Sequence, residues 1–130
     1  MSILKKLLSK INTGFYYIVN EEVFKQYLEK ELTFSLEHNL EASADLNIYL
    51  LGEKHHIQIW NYDASEIESE RVKGLVVYYD KEEYKTLDDL YQNRLNNLPQ
   101  YFKIELLVAD DVFLNNYKEE HPELIIDDYK

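Results

Sequence analysis

Residues 46–63, LNIYLLGEKHHIQIWNYD, constrain the fold more than any other stretch of the chain. Leu46, Ile48 and Leu50 recur at every second position, and His55, Ile57 and Ile59 resume the alternation beyond Gly52-Glu53-Lys54. A period of two turns one face of each run toward a core, and a glycine-bearing turn between two such runs makes a β-hairpin. The other face of the second strand then presents His56, Gln58, Trp60 and Tyr62, because successive side chains point to opposite sides.

Helix and strand signals flank this hairpin in irregular order. Ile3, Leu4, Leu7, Leu8 and Ile11 fall at helical spacing with Lys5, Lys6 and Lys10 on the remaining arc, and Asn12-Thr13-Gly14 supplies a stop. Such a helix can lie on anionic lipid, but its roughly three turns suit docking on its own domain, which is the expectation here. The lysines are interleaved with the leucines and no small-residue cleavage site follows, so a secretion signal is not expected. After the apolar run of residues 15–19, Asn20 is placed to cap a helix. Glu21 and Glu22 suit its first turn, and Val23, Phe24, Tyr27 and Leu28 form its buried stripe.

From Leu32 the pattern serves either element. Leu32, Phe34 and Leu36 alternate as in a strand, whereas Leu28, Leu32, Leu36 and Leu40 would prolong the helix; a strand is expected. Residues 63–71 read as a loop or a short exposed helix, and residues 74–79 as a central strand apolar on both faces. Thr86 caps the next helix, with Asp88 and Asp89 in its first turn, Leu87, Leu90, Tyr91, Arg94, Leu95 and Leu98 on one side, and Pro99 as its end. Phe102, Ile104, Leu106 and Val108 then alternate with Lys103, Glu105 and Leu107 as a further strand. Asp110 or Asp111 caps a last helix bearing Val112, Phe113 and Tyr117, which His121-Pro122 stops; residues 124–126 either add a strand or pack down.

No linker-like or repetitive tract divides the chain, so residues 1–130 are expected to form one domain. Without regular βαβ units the class is α+β: a mixed or antiparallel sheet of about four to six strands with helices packed mainly on one side.

Several function classes fall away. The apolar runs are far shorter than the ~20 residues that span a bilayer, so no membrane span is expected. Cysteine is absent, which removes disulfides, thiolate ligands and thiol nucleophiles and suits a reducing cytoplasm. Gly14, Gly52 and Gly74 are isolated, so there is no glycine-rich phosphate loop. His55 and His56 are strand neighbours on opposite faces and cannot chelate one ion, and His38 with Glu41 lacks a third ligand. Acidic pairs such as Asp88-Asp89 and Asp110-Asp111 serve helix N-termini, and none has the spacing of a calcium loop. No catalytic residue, cofactor or metal is expected. A small enzyme with dispersed carboxylates and histidines is the least favoured alternative, recognisable by a deep cleft lined by His38, His55 or His56.

Charge and aromatic content point to a protein partner. The net charge is −11, and residues 105–128 hold eight acids against one lysine. Such a field repels a phosphate backbone, which excludes direct nucleic-acid binding, and steers a basic protein toward the chain. The 12 tyrosines and one tryptophan exceed what so small a core readily buries, and these are the residues enriched at binding hot spots. Trp60 and Tyr62, with Asp63, Glu66, Glu68 and Glu70 close behind, are the expected partner-binding residues: aromatic anchors beside an acidic rim. In size, acidity, tyrosine content and lack of cysteine the chain resembles the immunity proteins that neutralise bacterial toxins, and other small inhibitors that occlude a basic enzyme. That resemblance implies a cytoplasmic monomer or homodimer that offers carboxylates to a cationic toxin domain. The alternative is a structural or regulatory module that self-associates through an exposed strand edge, its charge serving only solubility.

Overall fold

The computed structural model describes residues 15–40, 42–61 and 75–124. Strand β1 (Phe15–Val19) leads into helix α1 (Glu21–Glu37), followed by β2 (Ala42–Leu50), β3 (Glu53–Asn61), β4 (Leu75–Tyr79) and β5 (Glu82–Tyr84). Helix α2 (Leu87–Arg94), β6 (Phe102–Leu106), α3 (Val112–Glu120) and a 3₁₀ turn (Pro122–Leu124) complete the order. The strands form one antiparallel six-stranded sheet in the order β1-β6-β2-β3-β4-β5, which is the expected α+β class. The expected N-terminal helix, its stop at residues 12–14, and the segments 63–71 and 125–126 lie outside the described residues.

The hairpin forms with Leu46 opposite Ile57 and Ile48 opposite His55. Its turn is one residue tighter than expected: Leu51 (φ 53°) and Gly52 (φ 79°) make it, while Glu53 and Lys54 already belong to β3. Two left-handed residues in succession match the right-handed twist of the flanking strands; glycine takes that conformation freely and leucine does not.

Helix α1 begins where Asn20 Oδ1 accepts the Val23 amide at 2.8 Å. It buries Val23, Phe24, Tyr27 and Leu28 in one core with Leu46, Ile48, Ile57 and Ile59, and Phe24 meets Phe102 edge-on at 5.4 Å between centroids. Each such large side chain contributes about 1.5–3 kcal/mol on burial. The strand expected from Leu32 is instead the second half of α1, which runs to Glu37. A capped helix propagates at one hydrogen bond per residue until something stops it, and here the stop is the turn at His38-Asn39, with Asn39 at φ 51°. The residue held inside is Ser35, whereas Phe34 and Leu36 face solvent, so their alternation never marked a buried strand face.

Three further expectations are corrected. Helix α2 ends at Arg94, well before Pro99, and Leu95 remains buried as its cap with its N–H on Tyr91 O. Strand β6 stops at Leu106, leaving Val108 outside it, and it buries all five residues including Lys103 and Glu105, because β1 and β2 flank it on both sides. In α3, capped by Asp111 Oδ2 on the Leu114 amide at 2.9 Å, the buried anchor is Leu114 and not Val112. Strand β4 lies between β3 and the short edge strand β5, with Val76 and Val77 buried on its two faces. Leu114, Leu90 and Leu28 share the core with the same face of the sheet, so the helices pack on one side, as expected. Among the described residues no helix is long and apolar enough to cross a membrane.

Candidate functional site

Four chain segments converge at one end of the sheet. Leu106 pairs with both Phe15 and Leu46, the Leu107 amide donates to Asp45 O at 3.1 Å, and Asp45 stands opposite Gln58. Trp60 follows on β3, opposite Val76. This end is unusually apolar at its surface: Val108 is 80% and Val112 75% exposed, and Phe15, Leu40 and Leu107 are exposed as well. Single exposed apolar residues are ordinary, but a group of them on adjoining segments marks an interaction surface.

Carboxylates adjoin Val108 in a cleft. Beneath the β6–α3 loop lies a cleft of about 210 Å³ lined by Tyr27, Glu31, Asp45, Asp110 and Asp111, with Val108 at its edge. Each acid is positioned by local structure. Asp111 is the α3 N-cap, and Asp110 Oδ2 accepts from Asn115 Nδ2 at 2.9 Å. Asn115 in turn accepts the Tyr17 hydroxyl at 2.6 Å, which ties α3 to β1. His56 Nε2 holds Asp45 Oδ1 at 2.5 Å. Burial, then a hydrogen bond to Asp111 and the Asp111 charge, push the Glu31 carboxyl up to about 7. Burial and the nearby charges of Glu31 and Asp111 also raise the Tyr27 phenol well above its usual range. The cleft is therefore a place where negative charge is crowded and where a cationic group would be welcome.

Of the residues expected from the sequence to bind a partner, Trp60 is placed at this end of β3, half-buried, on the sheet face opposite the helices. Tyr62, Asp63, Glu66, Glu68 and Glu70 lie outside the described residues. The tyrosine surplus goes largely into packing: Tyr17 and Tyr79 are buried, Tyr49, Tyr78 and Tyr84 half-buried, and Tyr16 exposed. On the helix-free side of the sheet the Lys103 ammonium sits over the Tyr49 ring at 4.1 Å and the Tyr16 ring at 4.9 Å. Glu105 Oε1 there accepts from Asn47 and Tyr49, each at 3.0 Å.

Alternation carries the expected strand to Val108 and the expected helix bears Val112, yet both side chains are exposed. A signal that finds them is the cap: with Asp111 as N-cap, Val112 is the first helical residue and the inward stripe starts at Leu114. His55 and His56 bond to different carboxylates, Asp80 and Asp45, and among the described residues no three His, Asp or Glu side chains are grouped to hold a metal ion. Comparison with family models, with curated proteins and with solved structures gave no match.

Proposed function

We propose that the chain is an acidic protein-binding module of the immunity type, which neutralises a basic toxin or enzyme by covering its working surface. The observation that carries this reading is the sheet end at which Phe15, Leu107, Val108 and Val112 stand exposed beside Glu31, Asp45, Asp110 and Asp111. Apolar side chains in water gain about 25 cal/mol per Å² on being covered, which supplies affinity. The carboxylates around them select a cationic face and speed its approach, which supplies specificity and rate. Trp60, one residue before the end of β3 and on the other face of the sheet, extends the contact around this end, and Tyr62, Asp63, Glu66, Glu68 and Glu70 follow it in the chain as further contributors.

The test is to recover the partner from the source cells on the immobilised chain, purify it, and titrate it calorimetrically against the wild type and the Val108→Ser/Val112→Ser variant. A basic partner whose affinity drops at least tenfold in the variant, and falls with added salt, supports the reading. An acidic or neutral partner, or one that binds both forms equally, refutes it. Glu66→Lys, Glu68→Lys and Glu70→Lys together should slow association at low salt; an unchanged rate removes those three positions from the interface.

One observation favours a second reading. Strand β1 is an edge of the sheet and exposes Phe15 and Tyr16, so two copies could pair along it. Light scattering over a concentration series separates the two, since a dimer abolished by Ile18→Pro belongs to the second reading alone.

A further inference from the structure

Tyr27 of α1 differs from the other buried tyrosines in where its hydroxyl lies. Tyr17, buried to a similar degree, gives its hydroxyl to Asn115 Oδ1 at 2.6 Å, and the Tyr91 hydroxyl is wholly enclosed in the interior. Tyr27 is only 5% exposed, yet it lines the acidic cleft under the β6–α3 loop. Among the described residues no group is hydrogen-bonded to its hydroxyl. A buried phenol is as a rule hydrogen-bonded, because an unmade bond costs free energy. The open side of this one is the cleft, where the charges of Glu31, Asp111 and Asp45 bear on it.

The space around it suits one cationic side chain. Four carboxyl groups line the cleft, Glu31, Asp45, Asp110 and Asp111, and no basic residue does. Its volume of about 210 Å³ falls short of the roughly 300–1,000 Å³ of a small-molecule or cofactor site. Ala44, Leu106 and Val108 add an apolar wall. A methylene stem can lie on that wall while its charged head reaches the acceptors.

The free oxygens choose between the two basic side chains. Both oxygens of Asp45 are engaged, Oδ1 with His56 Nε2 at 2.5 Å and Oδ2 with Gln58 Nε2 at 3.4 Å. Asp110 Oδ2 accepts from Asn115 and Asp111 Oδ2 from the Leu114 amide, so each presents a single oxygen. A guanidinium seeks both oxygens of one carboxylate in a planar fork, which none of these three offers. A primary ammonium is a compact charge with three donors, and it takes single oxygens from different residues.

We propose that the cleft takes one lysine side chain of the partner, its ammonium held by the Tyr27 hydroxyl, Glu31 and the free oxygen of Asp111 and its stem lying on Leu106 and Val108. The proposal rests on the reading of this end of the sheet as the docking surface. The exposed valines supply area there, and the lysine fixes register.

The experiment is a titration of the isotopically labelled full chain with Nα-acetyl-lysine amide at pH 8 and constant ionic strength, followed by NMR, with the corresponding arginine and norleucine amides for comparison. The expected result is saturable shifts at Tyr27, Glu31 and residues 108–111 with a dissociation constant on the order of 1–10 mM, in keeping with so few ligand atoms. The arginine amide should bind at least about threefold more weakly, and the norleucine amide should not saturate. Glu31→Gln should weaken lysine binding about tenfold and Tyr27→Phe about fivefold. Tyr27→Phe removes a hydroxyl that bonds no described residue, so its thermal midpoint should stay within about 2 °C of wild type and loss of affinity is not loss of fold. Shifts that do not saturate, equal or tighter binding of the arginine or norleucine amide, or unaltered affinity in Tyr27→Phe would each overturn the proposal. The docking surface survives such a failure if a recovered basic partner still loses affinity in Val108→Ser/Val112→Ser. An acidic partner would remove the docking surface and the lysine with it.

Discussion

Glu31 of α1 and Asp111, the N-cap of α3, line the same cleft, and burial, then the neighbouring Asp111 carboxyl, push the Glu31 carboxyl up to about 7. In the unfolded chain its proton leaves near the ordinary value of 4.5. Between these pH values the folded form binds more protons than the unfolded form, so stability falls as pH rises from about 4.5 to about 7. Glu31 is only half-buried, and after solvent screening the loss is on the order of 1 kcal/mol. Urea midpoints at pH 5 and pH 8 should show this decline in the wild type, and Glu31→Gln should flatten it and gain stability at pH 8. A decline of equal size in Glu31→Gln would assign it to other groups.

A cationic side chain entering the same cleft displaces that proton. The affinity of a basic partner should thus rise over this pH interval and be less pH-dependent in Glu31→Gln, as read by calorimetry in buffers of different ionisation enthalpy. Proton release that is identical in both forms would contradict entry at this cleft.

Leu114 and Val112 separate folding from binding within one helix. Leu114→Ala empties a wholly buried position and should cost about 2–5 kcal/mol, whereas Val112→Ser, at an exposed one, should stay within about 0.5 kcal/mol of wild type. Denaturant unfolding of the two variants checks this, and a large loss in Val112→Ser would mean that it packs inside.

Glu105 is buried on the helix-free face and accepts from Asn47 and Tyr49. Glu105→Ala leaves those donors without their acceptor and should cost about 2–4 kcal/mol. Burial, and after it the Glu105 hydrogen bond and charge, hold the Tyr49 phenol above its usual range. Glu105→Gln should bring Tyr49 down toward the ordinary value in an ultraviolet pH titration; no change there would remove Glu105 from the Tyr49 environment.

What could be read from the chain was what local chemistry decides. Asn20, Thr86 and Asp111 announce three helix starts because a short polar side chain caps the amide three residues on, and each does so here. The alternation in 46–59 determines the hairpin because both strands show one face to the core. Residues 32–36 were illegible because leucines spaced by four and by two overlap there, and only the packing of Ser35 breaks the tie. Lys103 and Glu105 read as a solvent face because their burial depends on β1 and β2 lying on either side of β6, a long-range pairing that no short window carries. The acidity of the C-terminal part was plain from composition, but its meeting with Phe15, Leu40 and Glu31 arises only when the sheet brings β1, β2 and β6 together.

Amide-shift mapping of the labelled chain with the purified basic partner tests the central claim most directly. The account expects the largest shifts at residues 107–112, spreading to Phe15 and Glu31, and their loss in Val108→Ser/Val112→Ser. Shifts confined to the opposite end, around Leu51 and residues 96–99, would contradict it.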